Sequence, residues 1–281
     1  MLDCHAHVVA GDTARFPPAQ AGDPKIDALV SDPFEGERLA LEMAEQGVSG
    51  AVLVQRRQIY GFDNSYVCAL ARQAPQRWKA ICAVDAESPQ VADDIASWQI
   101  AGGSGFRLMA RIDQRTFEWL DGPHADLFWR RMADAGLLAC VHFFPWNRDE
   151  GLDRLVGILE RYPVRHLVID HLAAATITDD GDPGIDDRIR RLAEHGNVSL
   201  KFTTIPLARL AERHIDAGAI LGTYLDLFGE DRLAWGSDVT QSLGSFAHMV
   251  GLGRSAAAHF PTAIAEKLLH GNTQRIYGFA D

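Results

Sequence analysis

Long apolar runs are missing from this sequence: no segment approaches ~18 uninterrupted apolar residues, which leaves no candidate membrane span. Basic residues are scarce as well, Lys and Arg totalling 27 against 38 Asp and Glu for a formal charge of −11, and no Lys/Arg run stands out. That balance argues against nucleic acid and anionic membrane surfaces as partners. It does not argue against a small anionic substrate, because a pocket can be locally positive inside an acidic shell. Cysteine is limited to Cys4, Cys68, Cys82 and Cys140, with no C-x-x-C pair. Three of them lie in apolar, strand-like stretches, so they read as buried free thiols, not a disulfide or thiolate metal site. The first residues, Met1-Leu2-Asp3-Cys4-His5, carry no basic region followed by an apolar one, and the expected location is cytoplasmic. No G-x-G-x-x-G or P-loop follows the first strand candidate, which removes the main nucleotide-binding signature. No fixed-period repeat, low-complexity tract or Pro/Gly/Ser-rich linker divides the chain, so residues 1–281 are expected to form a single domain, and a homo-oligomer is compatible with that reading.

What the sequence does have is alternation. With 47% apolar and 23% charged residues it has the balance of a globular protein. Short β-rich apolar runs alternate with longer amphipathic stretches to the end of the chain. Eight strand candidates emerge: Leu2 to Val9, Ser49 to Gln55, Lys79 to Val84, Gly105 to Met109, Leu137 to Phe143, His166 to His171, Val198 to Phe202 and Leu233 to Ser237. Helices are expected between them, for example Glu35 to Gln46 and Asp126 to Ala135, with Gly47 and Gly136 as C-terminal caps. Eight βα units in a chain of this length fit a closed parallel α/β barrel, the (β/α)8 or TIM barrel, better than an open doubly wound sheet. The stretches Gly11 to Pro24 and Thr176 to Pro183 then follow the first and sixth strands, where a barrel places active-site loops.

Candidate chemistry gathers at the strand ends. In Asp3-Cys4-His5-Ala6-His7 the two histidines are two residues apart, so a strand points both to one face, close enough to share a divalent ion. Cys4 and Ala6 are small and suit the helix-covered face. A bare H-x-H also describes two polar core or surface histidines, but His142, His171 and Asp238 end three further apolar runs. In a parallel barrel the C-terminal strand ends converge on one face. Five such residues would be costly as passive core.

These residues resemble the amidohydrolase superfamily, in particular its branch of small lactonases and decarboxylases. The resemblance is carried by His5-Ala6-His7, Gly105-Phe106-Arg107, Asp170-His171-Leu172, Lys201, Trp235-Gly236-Ser237-Asp238 and the closing Gly271-Asn272-Thr273-Gln274-Arg275-Ile276-Tyr277-Gly278, in the family's order. It implies a barrel of the metal-dependent hydrolase type in which Asp238 activates water. Arg107 stands near where binuclear members carry a bridging carboxylated lysine, which argues against a two-metal site. Leu172-Ala173-Ala174 and Val239-Thr240-Gln241 depart from the continuations usual in pyrone dicarboxylate lactonases.

The leading expectation is a hydrolase that opens a small carboxylated or polyhydroxy lactone. Asp238 and His171 are the catalytic candidates; His5, His7, His142 and Asp238 are candidate ligands for one divalent ion, zinc before manganese. Some lactonases of this branch work without metal, and the histidines would then bind substrate. The alternative is a mononuclear zinc-dependent decarboxylase of an unsaturated or aromatic acid. Arg107, Arg111 and Lys201 are the candidate substrate-binding cations, Arg107 and Lys201 flanking an anion from two strands. Arg209 reads as solvated surface. Gln55-Arg56-Arg57-Gln58 and Tyr60 either line the mouth or form a solvated loop.

Overall fold

The computed structural model describes residues 1–20 and 22–280. Eight parallel strands run in the order of the chain: β1 (Leu2–Ala6), β2 (Gly50–Val54), β3 (Trp78–Ala83), β4 (Gly103–Met109), β5 (Leu138–His142), β6 (His166–Ile169), β7 (Val198–Thr203) and β8 (Leu233–Gly236). Each pairs with the next, and helices separate them, which is the (β/α)8 barrel expected from the alternation. The expected helices occupy Gly36–Glu45 and Ala125–Asp134. Both end the same way: Gly47 and Gly136 take φ of +64° and +59°, and the following amide bonds back to Met43 O and Met132 O at 2.9 Å. Glycine suits this turn because it has no Cβ to clash at positive φ.

Two strands stop earlier than the sequence suggests. β1 ends at Ala6 and β6 at Ile169, so His7 and His171 belong to the loops beyond them.

Alternation along the strands sorts the apolar residues into two cores. Ala51, Leu53, Phe106, Leu108, Leu200 and Phe202 face the helices, while Leu2, Cys4, Val52, Ile81, Cys140 and Val168 fill the barrel interior with Tyr277 and Phe279. The closing segment thus plugs the barrel, and Asn272 fastens it by donating to Glu230 O and Leu233 O at 2.8 and 2.7 Å. Cys4 belongs to the inner cluster, not the helix-covered face expected for it, because it alternates with Leu2, and the register slip between Asp3 and Ala6 then puts Ala6 in the helix-facing cluster. Such a bulge re-aims the side chains that follow it. All four cysteines are free and buried. Among the described residues no helix is long and apolar enough to cross a membrane.

The barrel closes where β8 meets β1, and there a side chain replaces part of the ladder. Asp3 Oδ1 accepts from the amides of His5 and Ser237 at 2.9 Å each, and the Asp238 amide donates to His5 O at 2.7 Å. Gly236 permits this approach: a Cβ there would lie 2.6 Å from the Cβ of His5. Burial pushes the Asp3 carboxyl up to about 7, against hydrogen bonds from Ser237 and the two amides. A folded-state value above the unfolded one means that the fold holds a proton the unfolded chain releases. The resulting stability is present at low pH and is lost as pH rises from about 4 to about 7. We expect Asp3→Asn to flatten that decline, and Asp3→Ala, which orphans two buried amides, to cost on the order of 2 kcal/mol or more at every pH. Urea unfolding midpoints measured between pH 5 and 8 check both.

Candidate active site

The inward side chains at the C-terminal strand ends form a polar floor under a cavity of about 410 Å³. At the centre of that floor lies Asp170, the first residue beyond β6. Its Oδ1 lies 3.0 Å from Lys201 Nζ, 3.3 Å from His5 Nδ1 and 3.3 Å from Cys140 Sγ. Its Oδ2 lies 2.8 Å from both Nε and Nη2 of Arg107. Burial alone would raise the Asp170 carboxyl, but Lys201 and Arg107 hold it well below the usual carboxylate range. Burial would likewise push Lys201 down, and the Asp170 charge instead holds it well above its ordinary value.

These contacts revise the sequence expectation for the cations. Arg107 and Lys201 do flank an anion from two strands, but the anion is Asp170, an internal carboxylate. Lys201 is fully buried beneath the floor and does not line the cavity; Arg107 does, at 5% exposure. Arg111 stands away from the cavity: its side chain is 57% exposed, pairs with Glu87 at 3.1 Å and lies outside the cavity lining. The reason is local, since Arg111 follows β4 in a turn where Gln114 Oε1 accepts its amide.

His5, His7 and Asp238 come together as the sequence predicts. The two Nε2 atoms are 3.2 Å apart, and Asp238 Oδ1 is 3.5 Å from that of His5 and 3.4 Å from that of His7. His7 Nδ1 is 2.7 Å from Val54 O, which can only accept, so neutral His7 carries its proton on Nδ1 and presents a lone pair at Nε2. Asp238 Oδ2 accepts from the Ser242 hydroxyl at 2.8 Å, while Oδ1 is buried without a hydrogen-bond donor. Acceptors facing one another in a buried site call for a cation or a shared proton. A mixed nitrogen and oxygen set of this kind suits a divalent ion, and the three residues meet the distance requirement for a shared one. His142 is not part of that group. It lines the cavity with its Nδ1 unpartnered, its ring 5.1 Å from that of His171. A second possible group, His5, Asp170 and His171, already holds a cation in Lys201, whose Nζ is 3.1 Å from His5 Nδ1.

Burial, reinforced by Lys201 for His5 and by Arg107 for His142, lowers both histidines well below their ordinary value, and burial also lowers His171. All three are therefore neutral near pH 7. For Asp238, burial acts to raise the carboxyl, but the nearby His7, His171 and His5 rings hold it below the usual carboxylate range.

His171 is presented by an unusual backbone. Residues His171, Leu172, Ala173 and Ala174 all take positive φ, between 51° and 55°. This left-handed turn costs roughly 1–2 kcal/mol per non-glycine residue. It is held by Arg148, which donates to Ala173 O at 3.2 Å, and by the 2.6 Å contact between His171 Nδ1 and Thr203 Oγ1. Ala174, Ala175, Thr176 and Ile177 continue from it into the cavity wall. The Gly11 to Pro24 segment, by contrast, contributes nothing to that wall among its described residues.

Sequence reasoning passed over Asp170, although the period of two from Val168 was the signal that it faces inward. Arg209 is exposed, as the sequence reading has it, and it also lines the cavity together with Gln58 and Gln241. Arg56 does not line it; its Nη2 holds Gln241 Oε1 at 3.1 Å, and its Nη1 binds the Thr240 hydroxyl at 2.5 Å.

His5 in β1, His7 just past it and Asp238 just beyond β8 put the candidate chemistry at the C-terminal face of the barrel, where enzymes of this fold work. The family model described as amidohydrolase matches residues 2–279, and the chain belongs to that family. An L-fucono-1,5-lactonase of Burkholderia ambifaria is 28% identical over 254 residues, covering 87% of this chain and 82% of that protein. A Burkholderia multivorans amidohydrolase with bound zinc superposes with a TM-score of 0.78 at 21% identity, covering 99% of each chain. A putative 2-pyrone-4,6-dicarboxylic acid hydrolase of Pseudomonas putida does so with a TM-score of 0.75 at 20% identity, covering 100% of this chain and 98% of that one.

Removing the charge at the centre should expose how much depends on it. Asp170→Asn leaves two buried cations without their anion and is expected to cost about 3–5 kcal/mol of stability. Adding Lys201→Met removes one of those uncompensated charges and should recover part of the loss. Chemical denaturation of the single and double variants checks the sign of this coupling.

Proposed function

We propose that the protein opens the ring of a small lactone by hydrolysis. The observation that carries this reading is the unpartnered Asp238 Oδ1 beside His5 and His7 at the floor of a cavity. The lactonase among its relatives supports it. Asp238 is ionised and aimed into the cavity, so Oδ1 can accept a proton from a water lying over the lactone carbonyl. The oxygen of that water adds to the carbonyl carbon, and the ring C–O bond breaks. His171, held by Thr203, takes up the water-derived proton from Asp238 and delivers it to the departing alkoxide as the ring C–O bond breaks. Arg107 projects positive charge toward the developing oxyanion while Asp170 keeps it in place. His5, His7 and Asp238 would hold one divalent ion, zinc by preference, whose chemistry is to polarise the carbonyl and acidify bound water. His142, outside that set, contacts substrate.

Asp238→Asn is expected to keep the wild-type melting temperature within a few degrees and to lose at least ~10²-fold in kcat, the scale for removal of a general base. Proton release on ring opening, followed in a pH-stat across a lactone panel, measures it. Full activity of the variant would refute the assignment, and CO₂ release from unsaturated or aromatic acids without lactone opening would move the protein to the decarboxylases.

A further inference from the structure

Three guanidinium groups line the cavity, and their surroundings differ. Arg107 is neutralised by Asp170. Arg213 pairs with Asp179 and donates to Ile177 O, both at 3.1 Å. Arg209 lies one turn earlier, exposed on the helix Thr204–Glu212, and among the described residues its side chain has no hydrogen bond, ion pair or ring contact. The one carboxylate among the described lining residues is Asp238, which faces His5 and His7 at the floor. Arg209 is therefore an unspent positive charge in the wall of an otherwise acidic protein.

The wall around it is apolar. Met109, Phe144, Pro145, Ile177, Ile205 and Leu210 make up much of the surface above the floor. Apart from His7, His142 and His171 at the floor, the uncharged hydrogen-bonding groups are Gln58, Thr176 and Gln241, and Gln241 Oε1 is already committed to Arg56. A ring bearing many hydroxyls would lose water against such a wall without regaining its hydrogen bonds. An apolar body with one anionic end would gain from both features, burying its surface and placing a carboxylate against the fork of a guanidinium.

We infer that the substrate is an amphipathic lactone acid, with an apolar body in this cavity and a carboxylate, remote from the ring carbonyl, bound by Arg209. The lactone part of this statement rests on the function proposed above; the anion site does not. Arg107, whose charge is met internally, takes no part in holding the remote carboxylate.

Two measurements separate the claims. The first is calorimetric binding of 4-phenylbutyrate and of its uncharged analogue 4-phenylbutyramide to the wild type, Arg209→Met and Arg209→Lys. The acid is expected to bind on the order of 10- to 100-fold more tightly than the amide, the range of a charge-assisted hydrogen bond. That preference should vanish in Arg209→Met and return in part in Arg209→Lys. Equal binding of acid and amide by the wild type, or a preference that survives Arg209→Met, overturns the anion site. The second is ring opening of 6-(4-carboxyphenyl)-δ-valerolactone, its methyl ester and L-fucono-1,5-lactone. A lower KM for the acid than for the ester, lost in Arg209→Met, supports the substrate class. Preference for L-fucono-1,5-lactone over both overturns it. Acid binding that depends on Arg209 with no lactone opened overturns the lactonase reading and leaves the anion site standing.

Discussion

A carboxylate with no access to water, set between an arginine and a lysine that have almost none, organises the top of this barrel. Isolated burial of any of the three would be prohibitive. Together they offset one another: Arg107 grips Asp170 Oδ2, and Lys201 sits on Oδ1 and reaches His5 Nδ1. His5 thereby has its ring fixed from below. His5 Nε2 then faces His7 Nε2, which Val54 O fixes from the side, and both face Asp238 Oδ1. The geometry that can hold a cation or activate water is thus inherited from a charge cluster that touches neither.

The second constraint is backbone strain, which appears on both sides of the site. Four consecutive left-handed residues carry His171 over the cavity, and Asp238 itself has φ of +56°. Such conformations persist where surrounding contacts over-determine them. Arg148 on Ala173 O and Ser242 on Asp238 Oδ2 are contacts of that kind. Both strained segments begin within two residues of the end of a strand, β6 and β8, so the rigid barrel supplies the anchor and the loops supply the aim.

Much of this was legible in the sequence. The eight apolar runs gave the strands because each is short and bounded by amphipathic stretches, and the helix ends at Gly47 and Gly136 followed from glycine chemistry. His5, His7 and Asp238 could be placed together because a parallel barrel brings all strand ends to one face. What escaped was pairing. Whether Lys201 faces a substrate or an internal anion depends on Asp170, thirty-one residues earlier in the chain, and residue types alone do not say which cation a carboxylate will meet. The early ends of β1 and β6 escaped for a related reason: His7 and His171 continue the apolar period, and hydrophobicity does not report the sign of φ. The position of Arg111 escaped as well, because residue types do not show that the turn after β4 carries it out to Glu87.

The placement of Lys201 also bears on how many cations the site can accept. Asp170 with His5 and His171 could form a second ligand group beside His5, His7 and Asp238, and the two share His5. With the Lys201 ammonium 3.0 Å from Asp170 Oδ1, a divalent ion there would face a unit positive charge at close range in a medium that screens poorly. Of the two groups, His5, His7 and Asp238 are the one whose facing acceptor atoms have no ammonium set among them.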